Sequence, residues 1–72
     1  MPTVESMEKF LEERGLTLYP DLHFENDCGR NAIILCDERA ETIDEYFLFE
    51  AYSEQDLFDF LKRENLVEII CN

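Results

Sequence analysis

The first apolar positions of the chain recur at helical spacing, which predicts an amphipathic helix over residues 4–14. Thr3 can cap the first turn of this helix, and Gly15 is a natural stop at its C-terminus. The predicted buried stripe consists of Val4, Met7, Phe10 and Leu11.

Three segments downstream have the pattern of β-strands. Residues 22–25 alternate apolar and polar side chains, which predicts a short, half-buried strand. Residues 32–36 are continuously apolar and predict a central strand, and a third strand is predicted over residues 43–52. Turn-forming residues separate the three segments, and Gly29 can take a positive φ between the first two.

A second helix and a last strand complete the pattern. Ser53 and Asp56 resemble a capping box that opens a helix ending near Glu64, and Asn65 can close it in a left-handed conformation. Its inward side chains are Leu57, Phe58 and Leu61. Residues 66–71 form the last strand, which can pair in parallel with a meander strand through a crossover.

The element order is therefore α-β-β-β-α-β. Sequential strands with short connections predict an antiparallel meander, and both helices are expected on one of its faces. This is a small α+β fold. At 72 residues the chain is too short for two domains, so residues 1–72 are predicted to form a single one.

Composition restricts the environment in which the protein is expected. A hydrophobic fraction of 46% argues against disorder. The chain has no apolar run long enough for a membrane span, and its N-terminal residues lack the pattern of a secretory signal. The three cysteines, Cys28, Cys36 and Cys71, cannot all pair within the chain, which favours a reducing cytoplasm.

Metal binding and catalysis find little support in the sequence. A zinc site formed by the three cysteines and His23 would lack the close ligand pairs of known zinc motifs, so we expect no metal and no other cofactor. His23 is the only histidine, the two glycines form no phosphate loop, and no serine stands in a nucleophile elbow. The prediction is a protein without enzymatic activity.

Charge is the most informative feature. Eighteen acidic and six basic residues give a net charge of −12, beyond the magnitude of about 2–8 that is typical of small soluble domains. Residues 37–59 hold nine acids and one base, Arg39. A second group, Glu5, Glu8 and Glu12, lines one face of the first helix.

The spacing of these acids suggests what they could imitate. Neighbouring acids on a helix face stand about 5–6 Å apart at Cβ, and alternate residues of a strand about 6.5 Å apart. Both distances resemble the spacing of phosphates along a nucleic-acid strand, so a carboxylate row could occupy a basic groove. The alternative is a solvated face that serves solubility only. Direct nucleic-acid binding is excluded because the six bases cannot form a positive groove.

The third predicted strand adds an apolar component. One face would carry Tyr46, Leu48, Glu50 and Tyr52 and would remain open, whereas Phe47, Phe49 and Ala51 would point toward the helices. A tyrosine-rich patch ringed by carboxylates is typical of a protein interface. Ordinary half-exposed strand residues are the alternative interpretation.

In charge and size the chain resembles small inhibitors of nucleic-acid-binding proteins, such as phage anti-restriction and anti-CRISPR proteins. The resemblance is one of composition and transfers no residues. The leading hypothesis is a non-enzymatic inhibitor that mimics nucleic acid on the basic surface of a nuclease, restriction or CRISPR-type complex; an immunity protein against a nuclease toxin needs the same surface. The predicted partner-binding residues are Glu5, Glu8, Glu12, Asp37, Glu38, Glu41, Asp44, Glu45, Tyr46, Glu50 and Tyr52. The alternative hypothesis is an adaptor or a homodimer that associates through the open sheet face.

Overall fold

The computed structural model describes residues 1–70 and confirms the α+β class and the predicted order of its main elements. The elements are α1 (Val4–Glu12), β1 (Leu16–Leu18), β2 (Leu22–Asp27), β3 (Ala32–Asp37), α2 (Ile43–Tyr46), β4 (Phe47–Ala51), α3 (Glu54–Arg63) and β5 (Val67–Ile69). Strands β2, β3 and β4 form the predicted antiparallel meander, and β1 pairs with β5 in a separate two-stranded sheet. No helix within the described range is both long and apolar enough to cross a bilayer.

The two long helices begin and end where local chemistry places their caps. The Thr3 hydroxyl accepts a hydrogen bond from the Ser6 backbone N–H, and the Ser6 hydroxyl accepts one from the Thr3 N–H, which forms a reciprocal capping box. Gly15, at φ 70°, and Asn65, at φ 57°, turn the chain after α1 and α3 as predicted. The first helix is shorter than the predicted 4–14, because its C-cap is Glu13.

Helices α1 and α3 cover one face of the meander and enclose the core. The buried members of that core are Met7, Leu11, Phe24, Ile33, Leu35, Ala51, Leu57 and Leu61. Aromatic pairs seal its margin: Phe10 and Phe58 meet edge to face at 5.4 Å, and Phe49 stacks on Phe60 at 4.3 Å. Each such pair contributes about 0.5–1.5 kcal/mol beyond its buried area, which matters in a chain with so small an interior.

The predicted parallel crossover of the last strand is wrong. β5 runs antiparallel to β1, with Thr17 opposite Glu68. The left-handed Gly15 reverses the chain after α1, so that Leu16 and Leu18 lie against the core and offer a strand edge. The sequence pattern predicts no strand between Gly15 and Leu22, so the predicted fold lacks the partner that β5 uses. Cys71, included in the predicted strand, lies outside the described residues.

The third strand is also shorter than predicted. Residues 43–46, predicted as the first part of this strand, form the single-turn helix α2 instead. The Thr42 hydroxyl caps this helix, because it accepts a hydrogen bond from the Glu45 backbone N–H at 3.3 Å. Thr42 followed three residues later by Glu45 is a capping-box sequence, and this local preference overrides the strand pattern. In the β2–β3 turn, Asn31 takes the left-handed conformation, at φ 55°, in place of the predicted Gly29.

A β-bulge changes the side on which one aromatic residue lies. Leu35 pairs with Phe49 and Cys36 pairs with Phe47, so Leu48 is an extra residue in β4. Directly opposite residues share a face of the sheet, so Phe47 lies on the side of Cys36, away from the helices. The prediction that Phe47 faces the helices is therefore wrong, and its side chain is 47% exposed.

Candidate functional site

The meander presents one face to α1 and α3 and a second face, here called the outer face, that neither helix covers. Strand alternation and register place on it His23, Glu25, Ile34, Cys36, Phe47 and Glu50. The single turn α2 packs over part of this face through Tyr46.

The predicted acidic residues divide between two sides of the molecule. Glu5, Glu8 and Glu12 are exposed on α1, the helix that covers the core face. Glu41, Asp44 and Glu45 are exposed on α2 and on the loop before it, next to the outer face. The structure therefore keeps the two predicted groups of acids apart, one on α1 and the other next to the outer face.

Three further predicted acids flank the second group. Asp37 is half-buried at the end of β3, where its carboxylate accepts a hydrogen bond from the Arg39 backbone N–H at 2.9 Å. Glu38 is exposed beside His23, with Oε1 3.5 Å from the ring Nδ1. Glu50 is half-buried on β4, and its carboxylate lies 3.4 Å from the Arg30 guanidinium.

Most of the negative charge is left without a counter-charge. All eighteen acids lie within residues 1–70, and an arginine or the His23 ring lies within 4.0 Å of five of them: Asp21, Glu25, Asp27, Glu38 and Glu50. The other thirteen have no ion-pair partner in the described part of the chain. The cation of Arg14 lies over the ring of Phe10 at 3.5 Å and neutralises none of them.

Beneath α2 lies a polar cluster that the sequence analysis missed. Glu25 Oε2 is 2.7 Å from the His23 Nε2 atom and accepts a hydrogen bond from the Tyr46 hydroxyl, also at 2.7 Å. Cys36 is fully buried in the same cluster, with its sulfur within 4.8 Å of the Glu25 carboxylate. Together, His23, Glu25, Cys36 and Tyr46 tie α2 to the sheet, and we call them the polar cluster.

Protonation within the polar cluster follows from these contacts. Hydrogen bonds from His23 and Tyr46 hold the pKa of the Glu25 carboxyl below its ordinary value. Burial, with a smaller contribution from the neighbouring carboxylate, raises the pKa of the Cys36 thiol to about 12. The hydrogen bond to Glu25 likewise raises the pKa of the Tyr46 hydroxyl to about 12. Near neutral pH the thiol and the phenol therefore keep their protons beside an ionised Glu25.

Exposed apolar side chains lie beside the polar cluster. Phe47, Leu48 and Tyr52 are 47%, 37% and 58% exposed. Phe47 and Leu48 line an open groove with Ile34 and Glu50, and the Tyr52 hydroxyl lies 3.5 Å from the Glu50 carboxylate. An apolar patch bordered by carboxylates is therefore present, although its members differ from the predicted set.

Tyr46 does not belong to the apolar patch for which it was predicted. The sequence pattern predicts Tyr46 on the open face of the third strand as an apolar anchor. In the structure Tyr46 lies in α2, and its hydroxyl donates a hydrogen bond to Glu25. Tyr52 remains exposed as predicted. One signal for the polar cluster was present in the sequence: His23 and Glu25 are two residues apart on a strand and must share a face.

Comparisons with protein-family models, with curated proteins and with solved structures find no match to this chain.

Proposed function

We propose that this protein is a non-enzymatic inhibitor that acts in a reducing cytoplasm and occupies the basic nucleic-acid-binding surface of a nuclease, restriction or CRISPR-type complex. Its docking surface is the acidic margin of the outer face with the adjacent apolar patch. The residues of this docking surface are Glu38, Glu41, Asp44, Glu45, Phe47, Leu48, Glu50 and Tyr52.

The observation that carries the proposal is the lack of internal neutralisation. Thirteen of eighteen carboxylates have no ion-pair partner among residues 1–70, so their mutual repulsion opposes folding. A basic partner would relieve that repulsion, and long-range attraction would accelerate its association. Solubility requires less charge than this chain carries.

The outer face is favoured over α1 because acids and apolar side chains adjoin there. Interfaces gain most of their affinity from a few well-packed anchors, whereas rim charges mainly set the association rate. Phe47, Leu48 and Tyr52 supply such anchors next to Glu50. Glu5, Glu8 and Glu12 lie on the helix that covers the opposite face and would contribute to steering from a distance.

The test uses the tagged full chain as bait in a low-salt lysate of its native host, with elution by a salt step. We expect a captured nucleic-acid-binding protein, release of that protein by competing duplex DNA, and inhibition of its nucleic-acid binding by the bait. Binding should weaken steeply with salt. The double variant E41K/E45K should lower the association rate by about tenfold or more, since both charges lie at the docking surface.

The matched control is E5K/E12K, which changes the net charge equally but on α1. The proposal requires that E41K/E45K weakens binding more than E5K/E12K. Equal losses would mean that only net charge matters, and the docking surface would then be wrong. No loss with either variant, or capture that DNA does not compete, would refute mimicry altogether.

The exposed apolar patch favours a second candidate, an adaptor or homo-oligomer that associates through the outer face. In that case light scattering would show a dimer, and Phe47→Ala with Tyr52→Ala would yield monomers while the charge reversals would not. Tyr46→Ala is unsuitable as a probe because it would also remove a hydrogen bond inside the polar cluster.

A further inference from the structure

Three side chains of different chemistry converge on the outer face. His23 and Glu25 are alternate residues of β2, and Cys36 stands directly opposite His23 on β3. One ligand atom from each, an imidazole nitrogen, a carboxylate oxygen and the thiol sulfur, lies within 4.8 Å of the other two. We propose that His23, Glu25 and Cys36 bind a single divalent transition-metal ion of zinc-like preference.

The donor set determines which ion would fit. Imidazole, thiolate and carboxylate are the ligands that Zn²⁺ takes from proteins, whereas Mg²⁺ and Ca²⁺ require oxygen donors. Three protein ligands leave one position of a tetrahedron open. Water or a group on a partner would occupy that open position, and the Tyr46 hydroxyl lies 3.2 Å from the His23 Nε2 atom.

A second observation concerns the other nitrogen of the same ring. The His23 Nδ1 atom is buried and has no hydrogen-bond partner among residues 1–70, while the Glu38 carboxylate lies 3.5 Å away. A histidine that binds metal through one nitrogen typically donates its other N–H to a carboxylate. Coordination through Nε2 would fix the proton on Nδ1 and direct it toward Glu38.

Charge and proton balance are consistent with this site. Coordination replaces the S–H bond of Cys36 with a sulfur–metal bond and releases the proton to solvent. The thiolate and the Glu25 carboxylate together supply two negative charges, which match a divalent cation. The ligand spacing of known zinc motifs applies to residues close in the chain, whereas here strand register brings Cys36 to His23.

The test uses the full-length C28S/C71S variant, which leaves Cys36 as the sole thiol. After chelator treatment and dialysis, Co²⁺ is added and absorption spectra are recorded. We expect saturation at one equivalent, a thiolate-to-cobalt charge-transfer band and the intense visible bands of tetrahedral Co²⁺. Zn²⁺ should displace the cobalt and abolish these bands.

Variants on the same background locate the ion. His23→Gln and Glu25→Gln should each weaken metal binding more than tenfold. Glu38→Gln should weaken it by about tenfold, because the carboxylate that would accept the His23 Nδ1 proton is lost. Asp44→Asn is the matched control, because it removes a nearby acid outside the cluster. Cys36→Ser should remove the charge-transfer band, and circular dichroism shows which variants are folded.

Absence of the charge-transfer band in the folded C28S/C71S protein would overturn the proposal. So would a band that persists unchanged in the folded His23→Gln and Glu25→Gln variants, since the ion would then be bound elsewhere. Because these two positions are half-exposed, the proposal stays testable even if Cys36→Ser fails to fold.

Discussion

The two faces of the three-stranded sheet achieve their packing by different means. The core face is closed by Met7, Leu57, Leu61 and their apolar neighbours, and no polar or charged residue in the described range is buried. The outer face is closed only in part, by one helical turn whose Tyr46 hydroxyl donates a hydrogen bond to the Glu25 carboxylate. One side thus depends on non-directional burial, and the other on directional contacts between ionisable side chains.

The core face therefore supplies most of the stability of the fold, and the outer face supplies its clustered ionisable side chains. The core face holds the fold together with side chains that cannot titrate, so changes in solution conditions act on it weakly. The outer face brings together a carboxylate, an imidazole, a thiol and a phenol beside exposed apolar groups, which gives it the means to bind ions or partners. We expect perturbations of the two faces to differ in size and in their dependence on pH and salt.

The largest effect is expected from truncation within the core. Leu61→Ala should lower the free energy of unfolding by about 2–5 kcal/mol, because it leaves a cavity under α3. Ile43→Ala, at a position 68% exposed on α2, should change it by less than about 0.5 kcal/mol. Urea denaturation measures both, and similar losses would contradict the assignment of stability to the core face.

A smaller effect is expected from the polar cluster. Glu25→Gln removes a carboxylate that is hydrogen-bonded to His23 and Tyr46, so the free energy of unfolding should fall by about 1 kcal/mol. The side chain is 44% exposed, which keeps the effect toward the low end. Glu41→Gln makes the same change of charge at an exposed position and should have no destabilising effect; equal behaviour of the two variants would argue against a structural role for the cluster.

Alkaline pH should also act on the outer face. The folded pKa values of Cys36 and Tyr46 are both about 12, above their ordinary values of 9.0 and 10.0. The unfolded chain therefore loses these protons first, so the free energy of unfolding should decrease from about pH 9 up to pH 12.

The measurement is urea denaturation at a series of pH values. Tyr46→Phe should reduce the alkaline decrease, since it removes one of the two groups, whereas Tyr52→Phe should leave it unchanged. A decrease of equal size in wild type and Tyr46→Phe would show that the phenol does not contribute.

The smallest effect is expected from salt in the absence of a partner. Screening of unpaired carboxylates should raise the melting temperature. An increase of about 0.5 kcal/mol in the free energy of unfolding corresponds to about 2–4 °C in a domain of this size. Thermal denaturation followed by circular dichroism from low to moderate NaCl provides the measurement. A flat or falling melting temperature would mean that the surplus charge does not oppose folding.

Local signals made much of the fold predictable. Thr3, Ser53, Gly15 and Asn65 mark helix ends through contacts within a few residues, and these positions agree with the structure. The meander followed from three strand patterns joined by short turns. The prediction failed at Thr42 and Glu45, where a capping signal and a strand pattern overlap in the same residues.

The candidate sites were less predictable because they depend on register. The exposure of Phe47 results from the bulge at Leu48, and the polar cluster results from the pairing of Cys36 with His23. Neither arrangement has a signature in the local pattern of side chains. Sequence analysis therefore anticipated that acidic residues would surround an apolar patch, but it assigned Tyr46 to the patch instead of Phe47.

The amino-acid sequence by itself determined the net charge, the helix caps, the apolar face of each helix and the α+β class, because these depend on composition or on residues a few positions apart. Only the tertiary structure decided that the two groups of acids lie on different sides of the molecule, that β5 pairs with β1, and that His23, Glu25, Cys36 and Tyr46 meet. These outcomes depend on which distant segments come into contact, and that is fixed by the free energy of packing the whole chain.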